Sequence, residues 1–271
     1  MEESKIRKPA VAGQFYPSSA QKLRDQIEAL IDRKANKTDV IACMLPHAGY
    51  IYSGSVAAQT LSRINIKDKI ILLGPNHTGF GAPFSIMTEG IWQTPLGEIE
   101  IDSDLARRIL RSSKYLQDDN TAHLYEHSLE VELPFLQYFK TNFKIVPITF
   151  LSNDSKALKE IGKGLAGVLK DSKDSAMILA SSDMTHYEPQ DQAVKKDKDA
   201  IQAILELNED ELMQRIQRLN ISMCGYAPVI AMLSAAKLLG ATKATLIKYQ
   251  TSGDVTGDKS SVVGYAGIIV Y

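Results

Sequence analysis

The chain of 271 residues lacks most of the features that announce a partner or a compartment. Its two cysteines, Cys43 and Cys224, are too few for a disulfide framework, and a reducing compartment suits them. No apolar run approaches the roughly 20 residues of a membrane span. The acidic opening Met1-Glu2-Glu3-Ser4 leads into no signal-like apolar core. A cytoplasmic protein is expected. Neither sign of charge is in excess, because 31 Lys and Arg face 32 Asp and Glu for a formal charge of -1. That balance gives no electrostatic reason for nucleic acid or an anionic membrane as main partner, so a small-molecule or neutral ligand is the natural expectation. The glycines Gly49, Gly54, Gly74, Gly79 and Gly81 form neither a GxGxxG fingerprint nor a Walker loop, and a nucleotide site is not supported. Internal repeats, linkers and low-complexity segments are also missing.

What is present is a core. With 44% hydrophobic residues, the chain can bury the interior of one domain spanning residues 1–271, near the upper end of domain size. Apolar runs at 40–45, 69–73, 143–150, 176–180, 244–249 and 262–271 read as strands. Helical patterns alternate with them. Ser18 and Gln21 read as a capping box for a helix ending near Ala35, with Leu23, Ile27, Leu30 and Ile31 inward. Residues 53–64 follow with Val56, Ala57, Leu61 and Ile64 inward, and Asp102 or Ser103 caps a third helix. In 128–139, Pro134 kinks a helix or lies near its start. Asp154 caps an amphipathic helix, 191–207 forms another, and an Asn208/Glu211 capping box leads one to 219. An apolar helix opens at 224–228 and runs to 239. Residues 84–88 and 91–101 suggest a hairpin, and 251–261 a polar loop. The alternation implies an α/β fold with a central mixed, mostly parallel sheet flanked by helices.

The functional signal is a repeated arrangement. Three strand-like runs end in Pro46-His47-Ala48-Gly49-Tyr50, in Gly74-Pro75-Asn76-His77 and in Ser181-Ser182-Asp183-Met184-Thr185-His186-Tyr187. Open α/β sheets keep their chemistry just beyond the carboxyl ends of such strands. His47 and His77, at the ends of what read as neighbouring strands, can converge on one metal ion. Cys224 precedes a helix whose dipole and exposed amides favour a thiolate, the form that ligates metal or attacks electrophiles. The competing role is a small buried hydrophobe, which fits Cys43 within its apolar run. Asp183 and His186 suit proton transfer, since an imidazole held by a carboxylate or carbonyl works near neutral pH. Their competing roles are a local turn cap and an exposed ring. His123, His127, Glu126 and Glu130 read as a helix-start network or pocket rim, with the two glutamates on a solvated or salt-bridged face.

Together with residues 7–17, Glu126-His127-Ser128-Leu129-Glu130, Cys224-Gly225 and Gly264-Tyr265-Ala266, these motifs resemble the Memo (mediator of cell motility) family over essentially the whole chain. The resemblance implies the fold and pocket position of the class III extradiol ring-cleaving dioxygenases, a non-haem iron-dependent class. It implies metal ligands at His47, His77 and Cys224. Asp183 and His186 would lie in the pocket, His186 where those dioxygenases keep an acid/base histidine. A thiolate would replace the carboxylate of a two-histidine, one-carboxylate site, moving metal preference toward copper or zinc without excluding iron. The implied cofactor is one transition-metal ion, iron or copper, with zinc as a further choice. The implied activity is that of a metal-dependent oxidoreductase with a dioxygenase-like pocket. The alternative is a non-catalytic peptide- or protein-binding module using the same pocket. A radical-SAM system partner is implied by the family's setting in microbes.

Overall fold

The computed structural model describes residues 6–170 and 175–271. Four parallel strands form the middle of a nine-stranded sheet, in the spatial order Ala42–Leu45, Ala176–Ser181, Lys69–Pro75 and Lys144–Phe150. Their sequences explain the position. Ile70, Ile71, Leu72 and Leu73 are all fully buried, so side chains on both sides of that strand need cover, which only a two-faced α/β layer supplies. Val262–Val270 pairs antiparallel with Ala42–Leu45, and Ala244–Thr251 and His186–Glu188 pair antiparallel with it in turn. At the other end Phe84–Ile86 runs antiparallel to Lys144–Phe150. The fold is the expected α/β arrangement with a mixed sheet.

The strand order corrects one expectation. The strands that deliver His47 and His77 are not neighbours, because Ala176–Ser181 inserts between them. The strand leading to Asp183 and His186 is therefore central to the site.

The helix Tyr226–Leu238 lies across the parallel strands, and residues from Ala227 to Ala236 are buried along its whole circumference. Ser155–Lys170 packs on it at Gly162, where a Cβ would come within 2.6 Å of the Ala231 carbonyl and 2.7 Å of Ser234 Cβ. Tyr50–Leu61 packs on Ala42–Leu45, Ala244–Thr251 and Val262–Val270, with Ala20–Leu30 and Leu133–Phe139 against it. Among the described residues, no helix is long and apolar enough to cross a membrane.

Several local expectations change. The first helix is Ala20–Leu30, capped at Ser19 without a side-chain bond, so the Ser18/Gln21 box does not form and the helix ends short of Ala35. Phe84–Ile86 joins the large sheet, while Ile91–Thr94 and Gly97–Glu100 make their own hairpin beside Ile6–Arg7. The 251–261 segment is not all loop, since Thr251 and Asp254 form a capping box for Ser252–Thr256. Pro134 sits in the first turn of Leu133–Phe139, where its missing N–H costs no helical bond. Asp102, Asp154 and Asn208 cap their helices, accepting from Leu105 N at 3.0 Å, Ala157 N at 2.7 Å and Glu211 N at 3.0 Å, but the Asn208/Glu211 box is only half formed because the Asn208 N–H bonds the Ala203 carbonyl.

The N-terminal arm is fastened by an ion pair that is almost solvent-free. Arg7 pairs with Glu130 and donates to the carbonyls of His123 (3.0 Å) and Glu126 (2.6 Å), with its guanidinium 4.4 Å from the Trp92 ring centroid. Glu130 also accepts from Ala10 N (2.7 Å), Val11 N (3.0 Å) and Tyr16 Oη (2.5 Å). The arm thus braces the segment carrying Glu126 and His127.

Candidate metal centre

The central strand organises the site. Asp183, just beyond Ala176–Ser181, accepts the His47 backbone N–H on Oδ1 at 2.8 Å, and its own N–H points at Cys224 Sγ at 3.3 Å. One residue therefore holds two of the three candidate ligand segments. Gly225 completes the fit. A Cβ there would overlap the Ser181 carbonyl and the Ser182 side chain, while its N–H donates to Ser182 Oγ at 3.0 Å. Gly225→Ala is expected to destabilise the protein by about 1–3 kcal/mol in urea unfolding, because backbone cannot yield as a flexible side chain does. A change below the resolution of that measurement would refute the fit.

His47 is buried, with Nδ1 2.7 Å from Ser181 Oγ and Nε2 3.3 Å from Cys224 Sγ. Burial, then the neighbouring His77, His127 and His186, lower its pKa well below the usual histidine value and keep the ring neutral. That is the ligating form. His77 leaves its strand through an Asx turn in which Asn76 Oδ1 accepts from Thr78 N (3.0 Å) and Gly79 N (3.2 Å). Its backbone N–H and its Nδ1, the latter at 2.9 Å, both bond Glu126.

Glu126 is fully buried rather than solvated. Burial opposes its charge, but the hydrogen bond from His77, the charges of His77 and His127, and the Ser128 amide bring its carboxyl down to about 2. It holds the His77 ring through Nδ1 and leaves Nε2 free, the arrangement in which a carboxylate would fix a metal-ligating histidine. Glu126→Gln is expected to lower affinity for added zinc about 10–100-fold by calorimetry and to lower the melting temperature as well, because one of two oxygens that accept N–H bonds becomes a donor. Unchanged affinity would remove Glu126 from this role.

One ligand atom each from His47, His77 and Cys224 lie within 4.8 Å of one another. Metal–donor bonds of about 2.0–2.3 Å bring such atoms onto one ion after side-chain adjustment on the order of 1 Å. Two imidazoles and a thiol also suit a transition metal better than calcium or magnesium. The donor set fits the implied ion. The surroundings of Cys224, however, oppose the expected helix-start thiolate. Burial first, then the Asp183 charge, push the Cys224 thiol up, outweighing the amides of the turn. A bound cation would reverse that balance.

Two other expectations divide. His127 joins the cluster, stacking on His77 at 4.7 Å between centroids and meeting the edge of His47 at 5.6 Å. His123 does not. It is fully buried beside Trp92, with both ring nitrogens lacking a hydrogen-bond partner among the described residues, and burial and Arg7 lower its pKa to about 4. It is a core residue rather than a pocket rim.

Asp183 and His186 reach the same region. Burial raises the Asp183 carboxyl to about 6, against the pull of His186 and of the His47 and Ala48 amides. Asp183 holds the His47 loop instead of capping its own turn. His186 is half-buried, with Nδ1 2.9 Å from the Ser222 carbonyl and its N–H donating to Ser222 Oγ at 2.7 Å. Tyr187, next in sequence, has φ +59° and lines a cavity of about 310 Å³ with Tyr52, Asp258 and Tyr265.

The residues that sequence reasoning missed are the supports: Ser181, Ser222, Glu132 and the buried role of Glu126. Glu126 and Ser181 lay inside noted motifs, but nothing in those motifs revealed which atoms they face.

A mixed α/β sheet with a histidine and cysteine cluster beyond its parallel strand ends defines the class. The chain belongs to the Memo family, whose "Memo-like protein" model matches residues 7–269. It is 46% identical to a MEMO1 family protein of Methanocaldococcus jannaschii over 98% of this chain and 99% of that one. A MEMO1 family protein of Aquifex aeolicus is also 46% identical, with the same shares covered. In three dimensions the chain is similar to an uncharacterized protein from Escherichia coli K12, with a TM-score of 0.55, 15% identity, and 84% of this chain and 98% of that one covered. That likeness concerns the fold alone.

Proposed function

We propose that the protein binds one transition-metal ion through His47, His77 and Cys224, and that it acts on a small organic molecule as a metal-dependent oxidoreductase. The observation that carries this reading is the convergence of three ligand atoms within 4.8 Å, with the second nitrogen of each histidine engaged by Ser181 or Glu126. Bound iron or copper would supply redox chemistry and open coordination positions, and zinc would supply Lewis acidity. The protein's own groups would do the rest. Ser222, at His186 Nδ1, would orient that ring so that Nε2 can accept a proton from substrate. Asp183 would hold the His47 loop and tune the local charge. The Tyr52, Tyr187 and Tyr265 cavity beside His186 would receive the organic part of the ligand.

The test is metal content and oxidation state after oxygen-free purification, made side by side on the native chain and Cys224→Ser. About one iron or copper per chain, reduced by more than roughly tenfold in the variant, is expected. Native protein that takes up no transition metal would overturn the proposal.

A second reading is favoured by one observation. Among the described residues five exposed apolar side chains, Ile51, Phe80, Leu124, Tyr125 and Tyr187, each lie within four residues in sequence of His47, His77, His127 or His186. Apolar groups close to a polar centre suit a non-catalytic module that takes a peptide or partner segment. Peptide binding that survives both metal removal and Cys224→Ser, with no oxygen uptake, would establish that reading over the enzymatic one.

A further inference from the structure

Beneath His47 lies a carboxyl group to which the proposed chemistry assigns no part. Glu132 is fully buried, its Oε1 is 2.7 Å from Ser181 Oγ, and its Oε2 has no hydrogen-bond partner among the described residues. Ser181 Oγ stands at a three-way junction, 2.7 Å from Glu132 Oε1, 2.8 Å from the Ser128 carbonyl and 2.7 Å from His47 Nδ1.

A hydroxyl has one proton to give and can accept two. The Ser128 carbonyl can only accept, so the Ser181 proton belongs there. The other two contacts then close only if both partners donate. Were Ser181 to give its proton to an ionised Glu132 instead, the Ser128 carbonyl would face bare hydroxyl lone pairs at 2.8 Å. An ionised Glu132 would also leave a charged oxygen buried without a partner, which is far more costly than a bare carbonyl oxygen. Among the described residues, Cys43, Tyr50 and Asp183 couple to Glu132 and bring no positive charge to offset it. Burial itself raises the Glu132 carboxyl well above the ordinary range.

We propose that Glu132 is a protonated carboxylic acid that, through Ser181, locks His47 in the tautomer with hydrogen on Nδ1 and a free lone pair on Nε2. Glu132 is then a positioning residue. It touches neither ligand nor ion, but it turns the lone pair of His47 toward Cys224 before any metal arrives. The two histidines are thereby set by opposite devices: His77 donates to the ionised Glu126, and His47 donates to a hydroxyl backed by a neutral acid. The consequence for metal affinity rests on the proposed metal centre, whereas the tautomer does not.

The experiment therefore begins with metal-free protein. Nitrogen-15 NMR of the histidine rings, with His47 assigned by its loss in His47→Gln, should show hydrogen on Nδ1. Infrared difference spectra between the native chain and Glu132→Gln should show a protonated carboxylic C=O band at neutral pH. Glu132→Gln keeps a donor for Ser181 and should keep the tautomer, whereas Glu132→Leu should lose its preference. Zinc titration should then give a Kd within about threefold of native for Glu132→Gln and weakened about tenfold or more for Glu132→Leu. A His47 ring protonated on Nε2, a carboxylate band for Glu132, or equal loss of zinc affinity in both variants would overturn the proposal. If Glu132→Leu fails to fold, the native and Glu132→Gln measurements decide it. If native protein binds no zinc, the metal reading fails and the NMR and infrared results still judge the tautomer.

Discussion

The double variant His47→Ala, His77→Ala is expected to leave oxygen-free purification with less than about one-tenth of the metal carried by the native chain. Structural zinc sites contribute roughly 10–16 kcal/mol from four ligands, so losing two removes on the order of 5–8 kcal/mol, or about four to six powers of ten in affinity. What remains is Cys224, whose thiol is pushed up by burial and by Asp183, and so gives a lone ion little to bind. His47 is buried, and its truncation leaves a void, so circular dichroism and urea unfolding must accompany the metal analysis. Folded double variant that retains full metal content would sink the ligand assignment.

The second large effect is on stability. Arg7→Ala should destabilise the fold by about 3–5 kcal/mol, because it leaves the Glu130 carboxylate buried without its cation. Both side chains are 1% exposed or less, so water cannot substitute for the lost partner. The damage should spread to the centre. Arg7 also holds the carbonyls of His123 and Glu126, and Glu126 is what positions His77. Arg7→Met combined with Glu130→Leu removes the uncompensated charge but leaves the Ala10 and Val11 amides and the Tyr16 hydroxyl without their acceptor, so it should recover less than half of the loss. Urea unfolding of native, single and double variants is the measurement. A single-variant cost below about 1 kcal/mol would show that the pair does not fasten the arm.

Much of this architecture was legible in the chain. Runs such as Ile70 to Leu73 announce strands buried on both faces, and the Gly-Pro-Asn and Pro-His-Ala-Gly breaks place His77 and His47 just past strand ends. Strand order was not legible. Pairing of Ala176–Ser181 between Ala42–Leu45 and Lys69–Pro75 joins segments more than 100 residues apart, and no local pattern records it. The supporting carboxylates were hidden for another reason. Glutamates are normally exposed, so Glu126 and Glu130 read as a solvated or salt-bridged face and Glu132 drew no reading, whereas all three are fully buried and each finds a different solution: a histidine, an arginine and a hydroxyl. At Cys224 the helix-start reasoning left out burial and the Asp183 charge, both of which push the thiol up.

The central strand also has a consequence in time. Because Asp183 bridges the His47 loop and Cys224, and Cys224 lies 177 residues after His47, the centre has no local precursor along the polypeptide. A nascent chain emerging from the ribosome offers at most two of the three donors until residue 224 is released, and those two remain uncoupled until the sheet closes. Any metal loading would thereby be postponed to the finished fold. Any ion held there then acts as a brake on global unfolding, adding about 4 kcal/mol at a thousandfold excess over Kd.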